Sequence, residues 1–186
     1  IDGPDGEFVG LDGKGGIVAG KLAPDDWLNH HQLMNPYTGF LGLGTVYAPV
    51  MSLPNAGVGV GAGVELGEHI QVKAVVSDPK GDPYTGSFWD FGGDEFFNGN
   101  FYKAAEVLWL PEPDNLYGKR VSMTGWHADE YEGSSVSQGV TVASNWSLGR
   151  RVPIVLAGMS NGGGANAVAD AFVTAGTGYR LRTSDV

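Results

Sequence analysis

The chain has 186 residues, and its 11 lysines and arginines against 21 aspartates and glutamates give a formal net charge of −10 at pH 7. Because nucleic-acid binding needs clustered basic side chains, this balance argues against a nucleic-acid partner. Cysteine is absent, which excludes disulfides and thiolate metal sites, and no apolar run approaches the roughly 18 residues of a transmembrane helix. Glycine occupies 31 positions, a frequency that favours tight turns and β-structure over helices.

Period-two alternation predicts a series of β-strands. In AGVGVGAGVELG, residues 56–67, valine, alanine and leucine hold the even positions and glycine holds most of the odd ones. A short GEH turn leads into IQVKAVVSD at 70–78, so the two runs predict a hairpin. The remaining predicted strands are 16–23, 100–110, 119–128, 137–148, 151–159 and 171–181.

The strands are long, and their connections alternate in length. Most span about nine to twelve residues, the length of a tilted membrane-spanning strand, whereas globular strands average about five or six. The turns at 67–69 and 149–150 are tight, while the link at 79–99 is long. Short turns on one side and longer loops on the other are typical of an up-and-down outer-membrane barrel. If short and long connections alternate along the chain, 24–55 falls on the side of the long loops. We therefore predict that 24–55 forms a long external or constriction loop, in which 36–50 is either a short strand or an inward-folded segment.

The predicted fold class is therefore all-β, an antiparallel up-and-down transmembrane β-barrel formed by one domain, 1–186. A soluble β-sandwich is the alternative, but the strand at 56–66 lacks the polar outer face that a soluble sheet needs. Aromatic residues near strand ends predict the interfacial girdles of such a barrel, or else they cap an ordinary core. These aromatic residues are Phe101, Trp109, Trp126, Trp146 and Tyr179.

A serine motif supports a different, catalytic interpretation. VPIVLAGMSNGGG at 152–164 has the strand and G-x-S-x-G pattern of a nucleophile elbow, with Ser160 at its centre. In hydrolases with this elbow the catalytic histidine follows the serine in the chain, whereas all four histidines precede Ser160 here. The chain also offers strand after strand where such a fold needs helices. We therefore expect no enzyme activity and no catalytic residue, and keep a Ser160 hydrolase as an alternative.

Two adjacent histidines raise the question of a metal site. His30 and His31 follow Asp25 and Asp26 closely in the chain. Adjacent residues on a strand point to opposite faces, and a helical pair of ligands needs i, i+4 spacing. We therefore expect a solvated loop here, and we predict no metal site and no cofactor.

Several segments resemble the carbohydrate-selective porins of the OprB type. The resemblance is carried by GKLAPDDWLNHHQLMNP at 20–36, by the hairpin and its DPKGDP ending at 56–83, and by the order of FYKAAEVLW, RVSMTGWHAD, VTVASNWSL and VPIVLAGMSNGGG. It spans roughly 16–186 and rests on the order and spacing of loose motifs. It implies a sixteen-stranded barrel in a bacterial outer membrane, surrounded by membrane lipid, that passes small neutral sugars by diffusion as a monomer or trimer.

This chain supplies about eight or nine strands of such a barrel, so we expect it to be an incomplete part of a larger porin. A closed eight-stranded barrel with a binding or structural role is the alternative, because an even count of eight strands can close a small barrel.

The alternation of side chains along each strand also predicts which of them face the lumen. A lysine or arginine on the lipid face at mid-depth costs about 2–4 kcal/mol, so the polar face of each strand is expected to point inward. Neutral sugars need hydrogen-bonding groups and a flat surface on the pore wall. Trp126 is expected to be either such a stacking surface or a girdle aromatic, and the charges are either selective groups or merely solvated ones. The candidate pore-lining residues are Gln71, Lys73, Tyr102, Glu106, Arg120 and Trp126.

Overall fold

The computed structural model describes residues 14–28, 48–82, 93–113, 118–165 and 167–179. Among these residues the only helical elements are a 3₁₀ turn at Pro24–Asp26 and the four-residue helix α1 at Asp94–Phe97. No helix in these ranges has the length and apolar character that crossing a membrane requires. The strands are β1 (Gly15–Leu22), β2 (Gly57–Leu66), β3 (Ile70–Ser77), β4 (Tyr102–Trp109), β5 (Arg120–Ala128), β6 (Ser137–Asn145), β7 (Arg151–Ser160) and β8 (Ala171–Tyr179).

The strands form one antiparallel sheet in chain order, from β1 at one edge to β8 at the other. All eight predicted strands are confirmed, and the largest difference at any strand end is three residues, where β6 ends at Asn145 and not at 148. The up-and-down topology is likewise confirmed, since every strand pairs with its neighbour in the sequence. Within the described residues β1 and β8 do not pair with each other, so the sheet is not closed.

The two ends of the sheet differ in the length of their connections. At one end, here called the turn end, β2 joins β3 through 67–69 and β6 joins β7 through 146–150. Both turns contain a glycine in the left-handed region, Gly67 at φ 74° and Gly149 at φ 62°, where an L side chain would be strained. The opposite end, here called the loop end, carries the connections that precede β2, β4, β6 and β8, and the first two of these are the longest in the sheet. The β4–β5 connection at 110–119 lies at the turn end and is about as long as the other two.

The sheet has one buried face and one exposed face. On β4, Tyr102, Ala104, Glu106 and Leu108 are buried, while the four residues that alternate with them are exposed. We call the buried side the inward face and the other side the outward face. Because successive strand residues point to opposite sides, this assignment extends by register to all eight strands.

The glycines of β2 occupy the inward face, and its valines lie on the outward face. Bare backbone is needed there because Trp27 packs against the strand: a Cβ added at Gly61 would lie 3.2 Å from the indole ring. At Gly59 an added Cβ would lie 2.8 Å from the Val76 carbonyl oxygen. Glycine therefore allows close packing on this strand at the expense of some intrinsic strand stability.

Parts of the connection between β1 and β2 pack on the inward face near the loop end. Leu28, Val50 and Met51 are almost fully buried in one apolar cluster with inward residues of β3, β4 and β5. The Val168 amide donates a hydrogen bond to the Pro49 carbonyl at 2.9 Å, which ties the β7–β8 connection to the same cluster. Residues 29–47 lie outside the described residues, so the alternatives for 36–50 and the loop role of 24–55 stay predictions.

Candidate functional site

A row of polar side chains crosses the inward face at the middle of the sheet. The register aligns Lys73 of β3 with Glu106 of β4, Glu106 with Thr124 of β5, and Thr124 with Thr141 of β6. The Thr124 hydroxyl donates a hydrogen bond to Glu106 Oε2 at 2.8 Å. Period-two alternation on four adjacent strands in register therefore brings these side chains together from four separate segments of the sequence.

Glu106 is the most unusual member of this row. Only 1% of its surface is exposed, and a buried carboxylate is tolerated only where hydrogen bonds or opposite charges compensate for lost water. Thr124 supplies one hydrogen bond, and Lys73 is the directly opposed residue on β3. The Lys73 ammonium also lies 3.5 Å from the Trp27 carbonyl oxygen, so it links the wall to the segment that packs over β2.

Two further candidates lie on the inward face toward the turn end. Gln71 is half-buried, and its amide donates a hydrogen bond to Glu65 Oε1, across the β2–β3 pair, at 3.2 Å. Arg120 is also half-buried and is paired in register with Asn145 of β6. The Asn145 amide donates to the Gly118 carbonyl at 2.9 Å and fixes the start of β5. Amide, carboxylate and guanidinium groups therefore continue the polar surface beyond the central row.

The two aromatic candidates are buried near the loop end. Tyr102 is 0% exposed and Trp126 is 5% exposed. The Trp126 indole donates to the Ser137 hydroxyl at 3.4 Å, and its ring packs on Gly139, where an added Cβ would lie 2.4 Å from the ring. The interpretation of Trp126 as a girdle aromatic is therefore wrong, because its side chain lies on the inward face. Its role as a sugar-stacking surface stays a prediction.

All six candidate residues lie on the same face of the sheet, the inward one. It brings Lys73 and Glu106 into direct register and leaves Gln71 and Arg120 nearer the turn end. Whether these residues line a pore stays a prediction, since Glu106, Tyr102 and Trp126 are covered in this structure.

The residues that anchor the loop end were not predicted from the sequence. Asp78, buried just after β3, accepts hydrogen bonds from the backbone amides of Lys80, Gly81 and Phe96. It therefore holds the turn after β3 and the start of α1 together. An aspartate followed three residues later by a glycine in the left-handed region, Gly81 at φ 58°, is the signal that could have predicted this turn.

A second loop-end cluster lies on the outward face around Asp129. Its carboxylate accepts hydrogen bonds from the Lys103 ammonium at 2.8 Å and the Phe101 amide at 3.0 Å, and it contacts His127 Nε2 at 3.0 Å. Burial raises the pKa of Asp129, but the hydrogen bonds from Lys103, Phe101 and His127 outweigh burial and hold the pKa below its ordinary value of 3.8. The carboxylate is therefore charged throughout the neutral range.

The outward face lacks the charged side chains that the inward face carries at the middle of the strands. Two whole rows of outward residues contain no charged side chain and run from β1 to β8 in register. The valine row comprises Gly15, Val64, Val72, Val107, Met123, Val142, Ala157 and Val173, and the alanine row comprises Ile17, Ala62, Ala74, Ala105, Gly125, Val140, Met159 and Ala171.

Large apolar side chains in these rows are open to the surroundings. Ile17 is 78% exposed, Val173 is 77% exposed and Met159 is 63% exposed. Outward ionisable side chains within the strands occur only near strand ends, at Lys21, Lys103, His127 and Arg151.

Exposed aromatic residues border the apolar rows at the turn end. Trp109, Trp146 and Tyr179 lie there, at 42%, 41% and 58% exposure. At the loop end, the ring of Phe101 packs edge-on against Phe96 with the ring centres 5.1 Å apart.

The surroundings of Ser160 do not reproduce a hydrolase site within the described residues. Its hydroxyl donates to the Ala169 carbonyl at 3.5 Å and accepts from the Gly162 amide at 3.2 Å. His69 lies in the β2–β3 turn at the opposite end of the sheet, and the outward His127 contacts Asp129. A loop and then β8 follow Ser160 where an elbow requires a helix.

No three histidine, aspartate or glutamate side chains of the described ranges converge on a point that could hold a metal ion. His30 and His31 lie outside those ranges.

Comparisons with protein-family models, with curated proteins and with solved structures find no match. The distribution of charged and apolar side chains over the two faces of the sheet is therefore the feature from which a function can be inferred.

Proposed function

We propose that the sheet is part of the wall of a transmembrane β-barrel that lets small neutral sugars diffuse across a bacterial outer membrane. The observation that carries this proposal is the distribution of charged side chains, which at the middle of the strands lie on the inward face only, next to the apolar clusters packed there. The valine and alanine rows put exposed apolar groups on the outward face of all eight strands, while Lys73, Glu106 and Arg120 lie on the inward face. An apolar exterior and a polar interior are what a barrel in lipid requires.

The uncharged outward stretch of β2 has a length that suits a bilayer. On β2, every outward residue from Val58 to Leu66 is uncharged. This stretch extends about 26 Å along the strand at about 3.3 Å per residue. At a strand tilt of about 40°, it covers about 20 Å along the membrane normal, which is close to the ~25 Å apolar band of outer-membrane barrels.

Closure of the barrel is part of the proposal. A sheet in lipid cannot leave backbone amides and carbonyls unpaired along its edges. The outer edges of β1 and β8 would therefore pair with further strands of a sixteen-stranded barrel. The assembly would be a monomer or a trimer, and membrane lipid would surround the outward face.

The choice of sugars as the permeating solute rests on the polar groups of the inward face and on the resemblance to carbohydrate-selective porins. Gln71, Lys73 and Arg120 are half-buried and place amide, ammonium and guanidinium groups on the inward face. Passage requires that such contacts be weak enough for release. Single hydrogen bonds of about 1 kcal/mol meet this condition.

Single-channel conductance in planar bilayers tests the proposal directly. The full-length protein, extracted in detergent, would be inserted into a bilayer and titrated with glucose and maltose. We expect steady open channels whose conductance falls as either sugar enters. A protein that stays soluble without detergent and opens no channels would contradict the membrane function.

A small barrel with a binding or structural role, closed by pairing of β1 with β8, which are unpaired in the described sheet, is a second candidate, and one observation favours it. Glu106, Thr124 and Thr141 at the middle of the inward face are each no more than 1% exposed. A side-chain-filled interior is the expected state of an eight-stranded barrel. Stable membrane insertion without measurable conductance would favour this candidate over the porin.

A further inference from the structure

A hollow of about 360 Å³ lies beside the β6–β7 turn, at the turn end of the sheet. Apolar groups form most of its wall. Its lining residues are Leu148, Arg151, Pro153, Thr177, Gly178 and Tyr179.

Strand register explains how the hollow forms. Arg151 is directly opposite Tyr179, and Pro153 is directly opposite Thr177, with the side chains of both pairs on the outward face. Leu148 is bridged to Arg151 across the turn and is 63% exposed. The hollow therefore opens on the outward face and continues into the uncharged outward surface.

The mouth of the hollow carries positive charge. Arg150 and Arg151 are consecutive, and neither forms an ion pair with any carboxylate in the described ranges. At the same end of the sheet, the Lys119 ammonium lies 5.7 Å from the centre of the Trp146 ring and is balanced by Glu112, whose Oε1 lies 4.0 Å away. An arginine at this depth can lay its aliphatic stem along apolar surface and present its guanidinium to the polar headgroup layer.

We propose that this hollow binds an anionic phospholipid, with one acyl chain against Leu148 and Pro153 and the phosphate on the Arg151 guanidinium. The inference rests on the proposed membrane location. Charge complementarity selects the headgroup, because arginine binds phosphate oxygens with paired hydrogen bonds. The Tyr179 ring supplies the amphipathic surface that is common at the membrane interface. Basic pockets on membrane proteins commonly bind anionic lipid headgroups.

Lipid retention in native mass spectrometry tests the proposal. The full-length protein in detergent would be incubated with phosphatidylglycerol and phosphatidylcholine that have the same acyl chains. We expect phosphatidylglycerol to be retained about fivefold more strongly, the effect of one favourable cation near a phosphate. Raising the salt concentration should reduce this preference, because the guanidinium lies at the exposed mouth of the hollow.

Three variants separate the charge from the hollow. Arg151→Gln should abolish the preference for phosphatidylglycerol. Lys14→Gln makes the same charge change at the turn end, just before β1 and far across the sheet, and should keep the preference. Thr177→Trp places an indole in the hollow and should lower the retention of both lipids.

Equal loss of preference in Arg151→Gln and Lys14→Gln would overturn the site, because it would show attraction to net charge alone. Unchanged retention in Thr177→Trp would also overturn it. Conductance measured on the same preparations separates the two proposals. Channels that sugars block in a protein without lipid preference would contradict only the proposed lipid site. A protein that is soluble without detergent would contradict both the lipid site and the membrane pore.

Discussion

Replacing Val107 by arginine places a charge on the outward face, where the two candidate environments, lipid and water, predict different results. Val107 lies in the valine row between Val72 and Met123 and is 52% exposed. It is two residues from Trp109 and four from Lys103, about 7 Å and about 13 Å along the strand.

The expected cost follows from this depth. Arginine at the midplane of a membrane barrel costs about 2–4 kcal/mol, and the cost falls toward the interfaces. Because Val107 is nearer to the aromatic residue at the turn end than to the lysine at the loop end, we expect about 2 kcal/mol, at the lower end of that range. This corresponds to roughly a 30-fold change in the folding equilibrium constant. In a water-soluble sheet, the same surface substitution would change stability by less than about 0.5 kcal/mol.

The assay is equilibrium unfolding of the protein in phospholipid vesicles, followed by the fluorescence of its five tryptophans. Val168→Arg is the matched control, because Val168 is 76% exposed in the β7–β8 connection, outside the strands. We expect Val168→Arg to unfold at the same denaturant concentration as the parent protein. If Val107→Arg also did so, the outward face would not lie in lipid, and the argument for a membrane barrel would fail.

Two further predictions concern packing and charge at the loop end. Gly139→Ala should destabilise the protein by about 1–3 kcal/mol, because the added Cβ would lie 2.4 Å from the Trp126 ring. Gly125→Ala is the control and should not destabilise it, because a Cβ there meets no atom within 4 Å. Equal thermal unfolding temperatures for the two variants would contradict this packing. Asp129→Asn should lower stability by about 0.5–1 kcal/mol at neutral pH, because the carboxylate pairs with the partly exposed Lys103. The pKa of Asp129 is lowered in the folded protein, so this contribution is present above about pH 4 and is lost as the pH falls through the folded-state pKa. A stability difference between parent and variant that did not shrink as the pH was lowered below ~4 would contradict the assignment.

The strands and their faces could be predicted because alternation is a local property. On β4, Tyr102 and Glu106 share one parity while Val107 and Trp109 share the other, so the order of residues alone orients the strand. On β7 this reasoning has less power. Val152, Ile154 and Leu156 are buried and Val155 and Met159 are exposed, yet all five are apolar, so only the register with β6 orients the strand.

The covering of the inward face could not be predicted, because it depends on contacts between distant segments. Met51 has no periodic neighbours that mark it as buried, and its burial arises from packing against a cluster of inward residues. Whether the Trp126 side chain faces inward as a stacking surface or outward as a girdle aromatic could not be predicted for the same reason. Its ring is accommodated because Gly139 is opposite it on β6, a pairing that only the register across the acidic β5–β6 loop determines. The four residues of α1, within the predicted long link at 79–99, are too few for a helical period to be recognised.

The covered carboxylate of Glu106 bears on how a sugar would pass. In a wide pore filled with water, a wall carboxylate needs no partner, since water solvates it. Here the Glu106 side chain is buried and accepts a hydrogen bond from Thr124, and Lys73 lies opposite it on β3. If the chain forms a sugar pore, the chain segments that cover the inward face must therefore set the width of the passage, and the number of strands sets only its upper limit. Sugar block should then depend on residues 24–28 and 48–51, whose buried side chains include Leu28 and Met51, as strongly as on the charged residues of the wall.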